Sequence, residues 1–277
     1  MNAVTTTDHG EIQVSPDRCL RYSVFTPAQG DAAATVLFIP GFKGFKDWGG
    51  WPWFCRSISA AGYRVISINP SMCGVGAALN EFDEPEKFAL QTLSHDLEDV
   101  ACLLSSEDLI SDQPLVVIGH SRGGIVASLA AAAHPVIQAV VTMGTPHDLM
   151  RLDSEELEAW QKRGFREIVN ARTGEVLQQD VSVLKDYQNH STSYDPVRAL
   201  ASRVLPVLGI HGTADPAVPM SSLDLLFPTD GNPESRKVCI EGAGHTFGMV
   251  HPHQGPHDHA EEVLEILSGW LGEVIQR

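Results

Sequence analysis

The sequence has no long hydrophobic run. No stretch of its 277 residues approaches the roughly 18 consecutive apolar residues that a membrane-spanning helix needs. Residues 1–15 also lack the basic start and apolar segment of a secretory signal peptide. We therefore expect no membrane span and a cytoplasmic location.

Basic residues are scarce. The chain has 19 Lys and Arg against 35 Asp and Glu, a formal net charge of −16. A surface this negative disfavours nucleic acid and anionic membranes as partners. The glycines also lack the Gly-x-Gly-x-x-Gly and Gly-x-x-x-x-Gly-Lys patterns that bind nucleotides. The composition therefore indicates neither a nucleic-acid partner nor a bound nucleotide, and it leaves the oligomeric state open.

Cysteines are few and scattered. The five of them include no Cys-x-x-Cys pair: Cys19, Cys55, Cys73, Cys102 and Cys239. This spacing is typical of reduced thiols rather than of a disulfide or zinc framework. Cys73 follows a predicted strand and could approach a site there, but we interpret it as a small packed hydrophobe.

What the chain does have is an alternation of apolar runs and helical stripes. Strands are predicted at 11–14, 20–25, 35–39, 63–68, 115–118, 139–143, 206–210 and 236–240. Helices are predicted at 53–61, 85–106, 124–133 and 258–276. A turn at Pro16-Asp17 makes the first two strands an antiparallel edge pair. We therefore predict an α/β fold, a mostly parallel twisted sheet of about eight strands with helices on both faces.

Residues 147–203 interrupt this alternation. They are richer in charge, with a helix-like piece at 154–163 and a hairpin-like piece around 170–175. Because the segment leaves after one sheet strand and returns before another, it should lie over the carboxyl ends of the strands, where ligands bind. We expect a small insertion here, flanked by the two parts of the core at 1–146 and 204–277.

The strand at 115–118 ends in Gly-His-Ser-Arg-Gly, the pattern Gly-x-Ser-x-Gly centred on Ser121. Glycines on both sides permit a sharp strand-to-helix turn, and the helix that follows ends at Pro135. Such a turn lifts a hydroxyl clear of the sheet and brings helix N–H groups close to a developing negative charge. The context predicts that Ser121 is a nucleophile.

A serine nucleophile needs a base and a carboxylate that orients the base. Asp215 follows the strand at 206–210, and His245 follows the last strand in a Gly-rich loop. Asp215 could instead only shape its turn before Pro216, and Asp148 is the rival acid after the preceding strand. We place the weight on Asp215, and the order Ser, Asp, His along the chain is compatible with this choice.

These linked motifs resemble the α/β-hydrolase fold superfamily over nearly the whole chain. They are the Gly119-His-Ser-Arg-Gly123 turn, His211-Gly-Thr-Ala-Asp215, Gly244-His245 and Pro40-Gly41-Phe42. Within the superfamily, residues 40–47, the hairpin-bearing insertion and residues 245–252 are similar to the cinnamoyl or feruloyl esterases and dienelactone-hydrolase-like proteins.

The resemblance implies a role for each residue. Asp215 would orient His245, His245 would take the Ser121 proton and later return one to a leaving group, and an acyl-enzyme would form. The backbone N–H groups of Phe42 and Arg122 would hold the oxyanion. The chain departs from many relatives in having Pro40 where they have histidine, which puts the shape of this loop in doubt.

Aromatic residues near these motifs are candidates for the substrate pocket. Trp48 follows the oxyanion loop, and the insertion carries Trp160, Phe165 and Tyr187. Some of these rings will only fill a core.

Several histidines lie close together near the end of the chain: His245, His251, His253, His257 and His259. Their spacing fits no familiar metal motif, and Pro252 and Pro256 interrupt it, so we interpret them as a solvated or pocket-edge loop. The triad itself requires no metal or cofactor.

The leading hypothesis is a serine esterase that acts on small or medium, partly apolar carboxylic esters. The same triad would also suit a peptidase, a thioesterase or a lactone hydrolase. A third hypothesis is a ligand-binding relative without catalysis, because a fold by itself never proves activity.

Overall fold

The computed structural model describes residues 6–110, 113–170, 173–227 and 232–275. Its strands are β1 (Thr6–Ser15), β2 (Arg18–Thr26), β3 (Thr35–Ile39), β4 (Arg64–Asn69), β5 (Leu115–His120), β6 (Ile137–Met143), β7 (Phe165–Val169), β8 (Val176–Asp180), β9 (Val207–Gly212) and β10 (Arg236–Ile240). Its helices are α1 (Trp51–Ala60), α2 (Pro85–Ala89), α3 (Leu93–Leu104), α4 (Arg122–Ala133), α5 (Ser154–Arg163), α6 (Val181–His190), α7 (Pro196–Ala201), α8 (Ser221–Leu226) and α9 (Asp258–Ile275).

Eight strands form one sheet in the order β1-β2-β4-β3-β5-β6-β9-β10. β2 pairs antiparallel with both β1 and β4, and the pairs from β4 to β10 are parallel. The prediction of a mostly parallel sheet of about eight strands with an antiparallel edge pair is confirmed. The carboxyl ends of the parallel strands therefore meet at one edge of the sheet.

Side chains of the central strands alternate between two cores, because successive residues of a strand face opposite sides of a sheet. On β3, Val36 and Phe38 pack in the core that α1 and α9 cover. Leu37 and Ile39 pack in the core that α3, α4 and α7 cover. The continuous apolar run of β3 is thus explained by burial on both faces.

Among the described helices, none is long and apolar enough to cross a membrane.

The helix predicted over 85–106 is two helices. α2 ends at Ala89 and α3 starts at Leu93. The hydroxyl of Thr92 accepts a hydrogen bond from the backbone N–H of His95, and the His95 ring in turn accepts from the Thr92 N–H. This capping box starts a new helix, which the apolar periodicity alone did not reveal. Helices α6, α7 and α8 were not predicted either.

The described part of residues 147–203 contains five elements of regular structure, three helices and the two strands of a hairpin. α5 has the bounds predicted for its helix, and β7 and β8 form an antiparallel hairpin around the predicted turn, of which residues 171–172 lie outside the described residues. Trp160 of α5 packs with Val183 and Leu184 of α6. α7 instead packs on α4, as one of the helices that cover the sheet.

Candidate active site

Ser121 lies at a sharp turn between β5 and α4. Its backbone has φ 53° and ψ −123°, a conformation that costs a non-glycine residue about 1–3 kcal/mol. The turn is so tight that a Cβ atom at Gly119 would lie 2.1 Å from the carbonyl oxygen of Gly123. A Cβ atom at Gly123 would lie 2.2 Å from the carbonyl oxygen of Ile39. The two glycines are therefore what allows the chain to turn here.

Two backbone N–H groups beside Ser121 have no hydrogen-bond acceptor among the described residues. Arg122 is the first residue of α4, so its N–H has no partner within the helix. The N–H of Phe42, in the loop after β3, donates to no other described residue. This loop is close to Ser121, since a Cβ atom at Gly41 would lie 2.9 Å from the Ser121 Cβ. The pair of donors could stabilise an oxyanion formed next to the serine.

His245 is held by Asp215. Nδ1 of His245 and Oδ2 of Asp215 are 2.7 Å apart. The other carboxylate oxygen accepts from the N–H groups of Ala217, at 2.7 Å, and Val218, at 3.0 Å. This network fixes the carboxylate, and it places a proton on Nδ1, which leaves Nε2 as the basic nitrogen of the imidazole.

The carboxylate stays ionised although its side chain is only 1% exposed. Burial raises the pKa of Asp215, but the hydrogen bond from His245, the N–H of Val218, the His245 charge and the N–H of Ala217 together lower it more. The pKa therefore lies below the ordinary 3.8. An anion next to Nδ1 stabilises the imidazolium that forms when the base takes a proton.

Ser121 and His245 line one cavity. The hydroxyl and the imidazole, both described, are not hydrogen bonded to each other in this structure. Hydrogen bonds of this kind often shorten only when a substrate is bound. The backbone of His245 is also held, because its carbonyl oxygen accepts a hydrogen bond from Nε2 of His120 at 2.9 Å.

Asp148, the rival acid, does not reach His245. Its Oδ1 accepts from the N–H of Met150 at 2.9 Å and from the hydroxyl of Tyr187 at 3.5 Å. The structure thus brings together Ser121, His245 and Asp215, the acid favoured in the sequence analysis.

Two cavities adjoin the serine. The first, here called the cap cavity, has a volume of about 330 Å³ and lies between Ser121 and the insertion, with Leu149, Trp160 and Val183 in its wall. The second, the loop cavity, has a volume of about 200 Å³ and is lined by Ser121, His245 and Trp48. Phe42 lies between them and lines both.

Three of the four predicted pocket aromatics line these cavities: Trp48 the loop cavity, Trp160 and Tyr187 the cap cavity. Phe165 lines neither. Its ring lies under the guanidinium of Arg163, 4.1 Å from it, and beside a separate surface hollow. Phe165 was expected in the substrate pocket, but side chains of β7 alternate between its two faces. The next residue, Arg166, is the one that faces the cap cavity.

Sequence reasoning also missed the side chain of Arg122. Its Nε donates to Asp96 Oδ2 at 2.9 Å, and Gln91 donates to Oδ1 at 2.8 Å. The guanidinium carbon lies 5.9 Å from the centre of the Phe42 ring. An Arg directly after the nucleophile and an Asp on the polar side of a predicted helix were the available signals, but neither fixes the pairing.

His245 lines the loop cavity, and two of the other clustered histidines pack on tryptophans. His251 accepts from the N–H of Gly49 at 2.7 Å and stacks on Trp48, and His253 stacks on Trp53. Within the described residues, no group of three or more His, Cys, Asp or Glu side chains is arranged to hold a metal ion.

Cys73 is packed beside Phe45 and Phe88. Burial raises the pKa of its thiol to about 12, so it is a poor source of thiolate.

The sequence of this chain matches a known protein family. Residues 34–185 match the family described as alpha/beta hydrolase fold. No curated protein matches the sequence.

Solved structures with the same fold cover almost the whole chain. Est1E from Butyrivibrio proteoclasticus, with ferulic acid bound, is 19% identical with a TM-score of 0.75 over 97% of this chain and 100% of its own. Alpha/beta hydrolase domain-containing protein 10 from mouse is 17% identical, with a TM-score of 0.71 over 96% and 99%. Dienelactone hydrolase from Anabaena variabilis is 18% identical, with a TM-score of 0.60 over 98% of each chain. At these identities the likeness is one of fold.

Proposed function

The chain belongs to the α/β-hydrolase fold family, and from this premise we propose that it is a serine hydrolase that cleaves carboxylic esters through an acyl-enzyme on Ser121. The single observation that carries the proposal is the contact of 2.7 Å between His245 and Asp215 beside a serine on a strained turn. Ion pairs of this kind can also be purely structural. What distinguishes this one is the serine beside it, together with two backbone N–H groups that have no acceptor among the described residues.

In this proposal Nε2 of His245 takes the proton of the Ser121 hydroxyl as Oγ attacks the ester carbonyl carbon. The carbonyl oxygen becomes an oxyanion and accepts from the N–H groups of Phe42 and Arg122. The bond from carbon to the alcohol oxygen then breaks, and the imidazolium returns its proton to that oxygen. Water, activated by the same imidazole, attacks the acyl-enzyme and releases the acid.

The substrate proposed is small to medium and partly apolar. Cavities of about 330 and 200 Å³ meet at Ser121, and their walls include Leu149, Trp160, Val183 and Trp48. Pockets of this size with apolar walls and a few polar groups suit small molecules. The neighbour Est1E was solved with ferulic acid, an aromatic acid, which is consistent with such a substrate.

We further propose that residues 147–203 act as a cap on the core formed by 1–146 and 204–277, since α5, the hairpin and α6 supply the outer wall of the cap cavity. The five cysteines are unpaired. Free thiols support a reducing, cytoplasmic location.

The test uses the purified protein, p-nitrophenyl acyl esters and a fluorophosphonate probe. We expect ester turnover and covalent labelling in the wild type, and loss of both in Ser121→Ala. Absence of turnover and of labelling in the wild type would contradict the proposal.

A panel of matched esters, thioesters, lactones and aminoacyl amides then separates the alternatives. Faster turnover of the amide, thioester or lactone than of the ester would replace the esterase assignment with peptidase, thioesterase or lactone hydrolase. Biological activity that survives Ser121→Ala would indicate a non-catalytic binding protein.

A further inference from the structure

The cap cavity has the opposite charge to the whole protein. Three arginines line it, Arg122, Arg151 and Arg166, and Asp186 is the one acidic side chain among its described lining residues. Only 19 of the 277 residues are Lys or Arg. Asp96 pairs with Arg122, so Arg151 and Arg166 remain against Asp186, and the lining keeps an excess of one positive charge in a chain of net charge −16.

Arg166 has no acidic partner. Its Nε and Nη2 both donate to the amide oxygen of Gln179, at 2.8 and 2.5 Å. Its guanidinium carbon lies 4.2 Å from the centre of the Trp160 ring. No described carboxylate lies within 4.0 Å of it. Within the described part of the chain Nη1 has no hydrogen-bond partner, so this half-buried cation, fixed by a neutral amide and an aromatic ring, can still donate to an anion.

The nearby charges do not neutralise Arg166. Burial lowers the pKa of its guanidinium, Glu156 raises it, and the positive charge of Arg122 lowers it. Arg122 is already paired with Asp96, whose Oδ2 lies 2.7 Å from Nη2. Arg166 is therefore the guanidinium of the cap cavity that offers a donor to an anion.

The other charged lining residues leave this excess in place. Asp186 accepts hydrogen bonds from the hydroxyls of Ser94, at 2.5 Å, and Tyr194, at 2.9 Å. These neutral donors fix the carboxylate without balancing its charge, so Asp186 offsets one arginine of the lining. Arg151 donates to the carbonyl oxygen of Ala217 at 2.5 Å and has no described acidic partner within 4.0 Å.

The position of His245 decides which part of a substrate meets these arginines. His245 must reach the leaving oxygen to protonate it, and it lines the loop cavity but not the cap cavity. The alcohol therefore leaves through the loop cavity, and the acyl group extends from Ser121 into the cap cavity.

We propose that the substrate is an ester whose acyl chain ends in a carboxylate, and that Arg166 binds this carboxylate in the cap cavity. A planar guanidinium with fixed orientation matches the two oxygens of a carboxylate, and Leu149, Leu152 and Val183 would cover the intervening methylenes. This inference rests on the proposed esterase function, because it names the substrate class of the same site.

The test compares two esters with acyl chains of equal length, p-nitrophenyl hydrogen adipate and p-nitrophenyl hexanoate. We expect kcat/KM of the wild type to favour the adipate ester by at least about tenfold, which is the factor that a charged hydrogen bond gives. Arg166→Gln should reduce that preference, the ratio of the two kcat/KM values, about tenfold. Arg166→Lys keeps the charge and should retain part of the preference.

Arg163→Gln is the matched control. Arg163 belongs to the same insertion, but it is exposed, pairs with Glu167 at 3.0 Å and lines neither cavity. The preference for adipate should be unchanged in this variant. Should Arg166→Gln fold poorly, Arg151→Gln gives a second measurement, in which the preference should fall about twofold to threefold.

A binding measurement distinguishes failure of this inference from failure of the proposed function. Calorimetry on Ser121→Ala protein should show that monomethyl adipate binds at least tenfold more tightly than methyl hexanoate, and that Arg166→Gln removes the difference. If this holds while the wild type hydrolyses neither ester, the carboxylate site stands and the esterase proposal fails. Equal losses on both esters in Arg166→Gln, no preference in the wild type, or tighter binding of inorganic phosphate than of monomethyl adipate would overturn the inference.

Discussion

The imidazole of His120 lies 4.7 Å from that of His245, measured between ring centres, and donates from Nε2 to the His245 carbonyl oxygen at 2.9 Å. His120, the residue before Ser121, thus fixes the backbone of His245, the proposed base. Burial lowers the pKa of His120 to about 3, with the His245 charge adding to the effect. His120 therefore remains a neutral donor at every pH at which His245 could act as a base.

Replacing His120 should test this positioning. In His120→Phe the carbonyl of His245 loses its donor, and an unsatisfied buried group costs about 1–3 kcal/mol. We expect kcat to fall about tenfold with a smaller change in KM, because the base is misplaced while the cavities remain. His120→Gln, which keeps an N–H donor at a similar reach, should restore part of kcat. Steady-state kinetics on a p-nitrophenyl ester measures kcat and KM of the two variants. Equal kcat values in His120→Phe and His120→Gln would count against a positioning role.

Asp215→Asn should impair turnover far more than the same change at Asp148. An amide at position 215 cannot keep the anion beside Nδ1 and can favour the wrong tautomer of His245, which in a comparable triad costs about 10⁴-fold. We expect kcat to fall about 10³- to 10⁴-fold. Asp148→Asn is the control, because Asp148 contacts Met150 and Tyr187 instead of the base. A similar loss in both variants would reverse the assignment of the acid.

Much of the site could be predicted because its signals are local. Ser121 stands at the end of an apolar run between glycines, and Asp215 and His245 each follow a predicted strand. Parallel strands bring their carboxyl ends to one edge, so three loops far apart in the chain meet there. The order of the strands in the sheet, which no local pattern encodes, then determines which of Asp215 and Asp148 lies close to His245.

The cap cavity was harder to predict because it depends on how short elements pack. On β7 the residues Phe165 and Arg166 face opposite sides, and the packing of the hairpin decides which side turns inward. Aromatic character favoured Phe165, whereas the structure brings Arg166 to the cavity. The break between α2 and α3 is another such case, since the Thr92 cap overrides a continuous apolar stripe.

A buried carboxylate predicts how stability depends on pH. Burial raises the pKa of Asp99 from 3.8 to about 7, the charge of Asp96 adds to this, and hydrogen bonds from Ser71 oppose it. Between these two values the folded protein binds a proton that the unfolded chain has lost, so this group reduces stability as pH rises through the window. Asp99→Asn mimics the protonated form and keeps the contacts with Ser71.

We therefore expect Asp99→Asn to stabilise the protein at pH 8.5 by about 2–4 kcal/mol, at roughly 1.4 kcal/mol per pKa unit, and by much less at pH 4.5. Urea unfolding at both pH values measures the difference. The exposed Glu107→Gln is the control and should show no such pH dependence. Equal effects of Asp99→Asn at both pH values would contradict the raised pKa.

The strand-to-helix turn should tolerate no side chain at Gly119. A Cβ atom there would lie 2.1 Å from the Gly123 carbonyl oxygen and 2.4 Å from the Gly124 nitrogen, and backbone atoms cannot move aside as a flexible side chain can. We expect Gly119→Ala to lower the free energy of unfolding by about 3 kcal/mol or more and to abolish ester turnover. Gly269→Ala is the control, because no atom lies within 4 Å of the new Cβ and alanine favours α9 by up to about 1 kcal/mol. Urea unfolding and a p-nitrophenyl ester assay measure both effects, and turnover that survives Gly119→Ala would mean that the close approach in this turn is not needed to present Ser121.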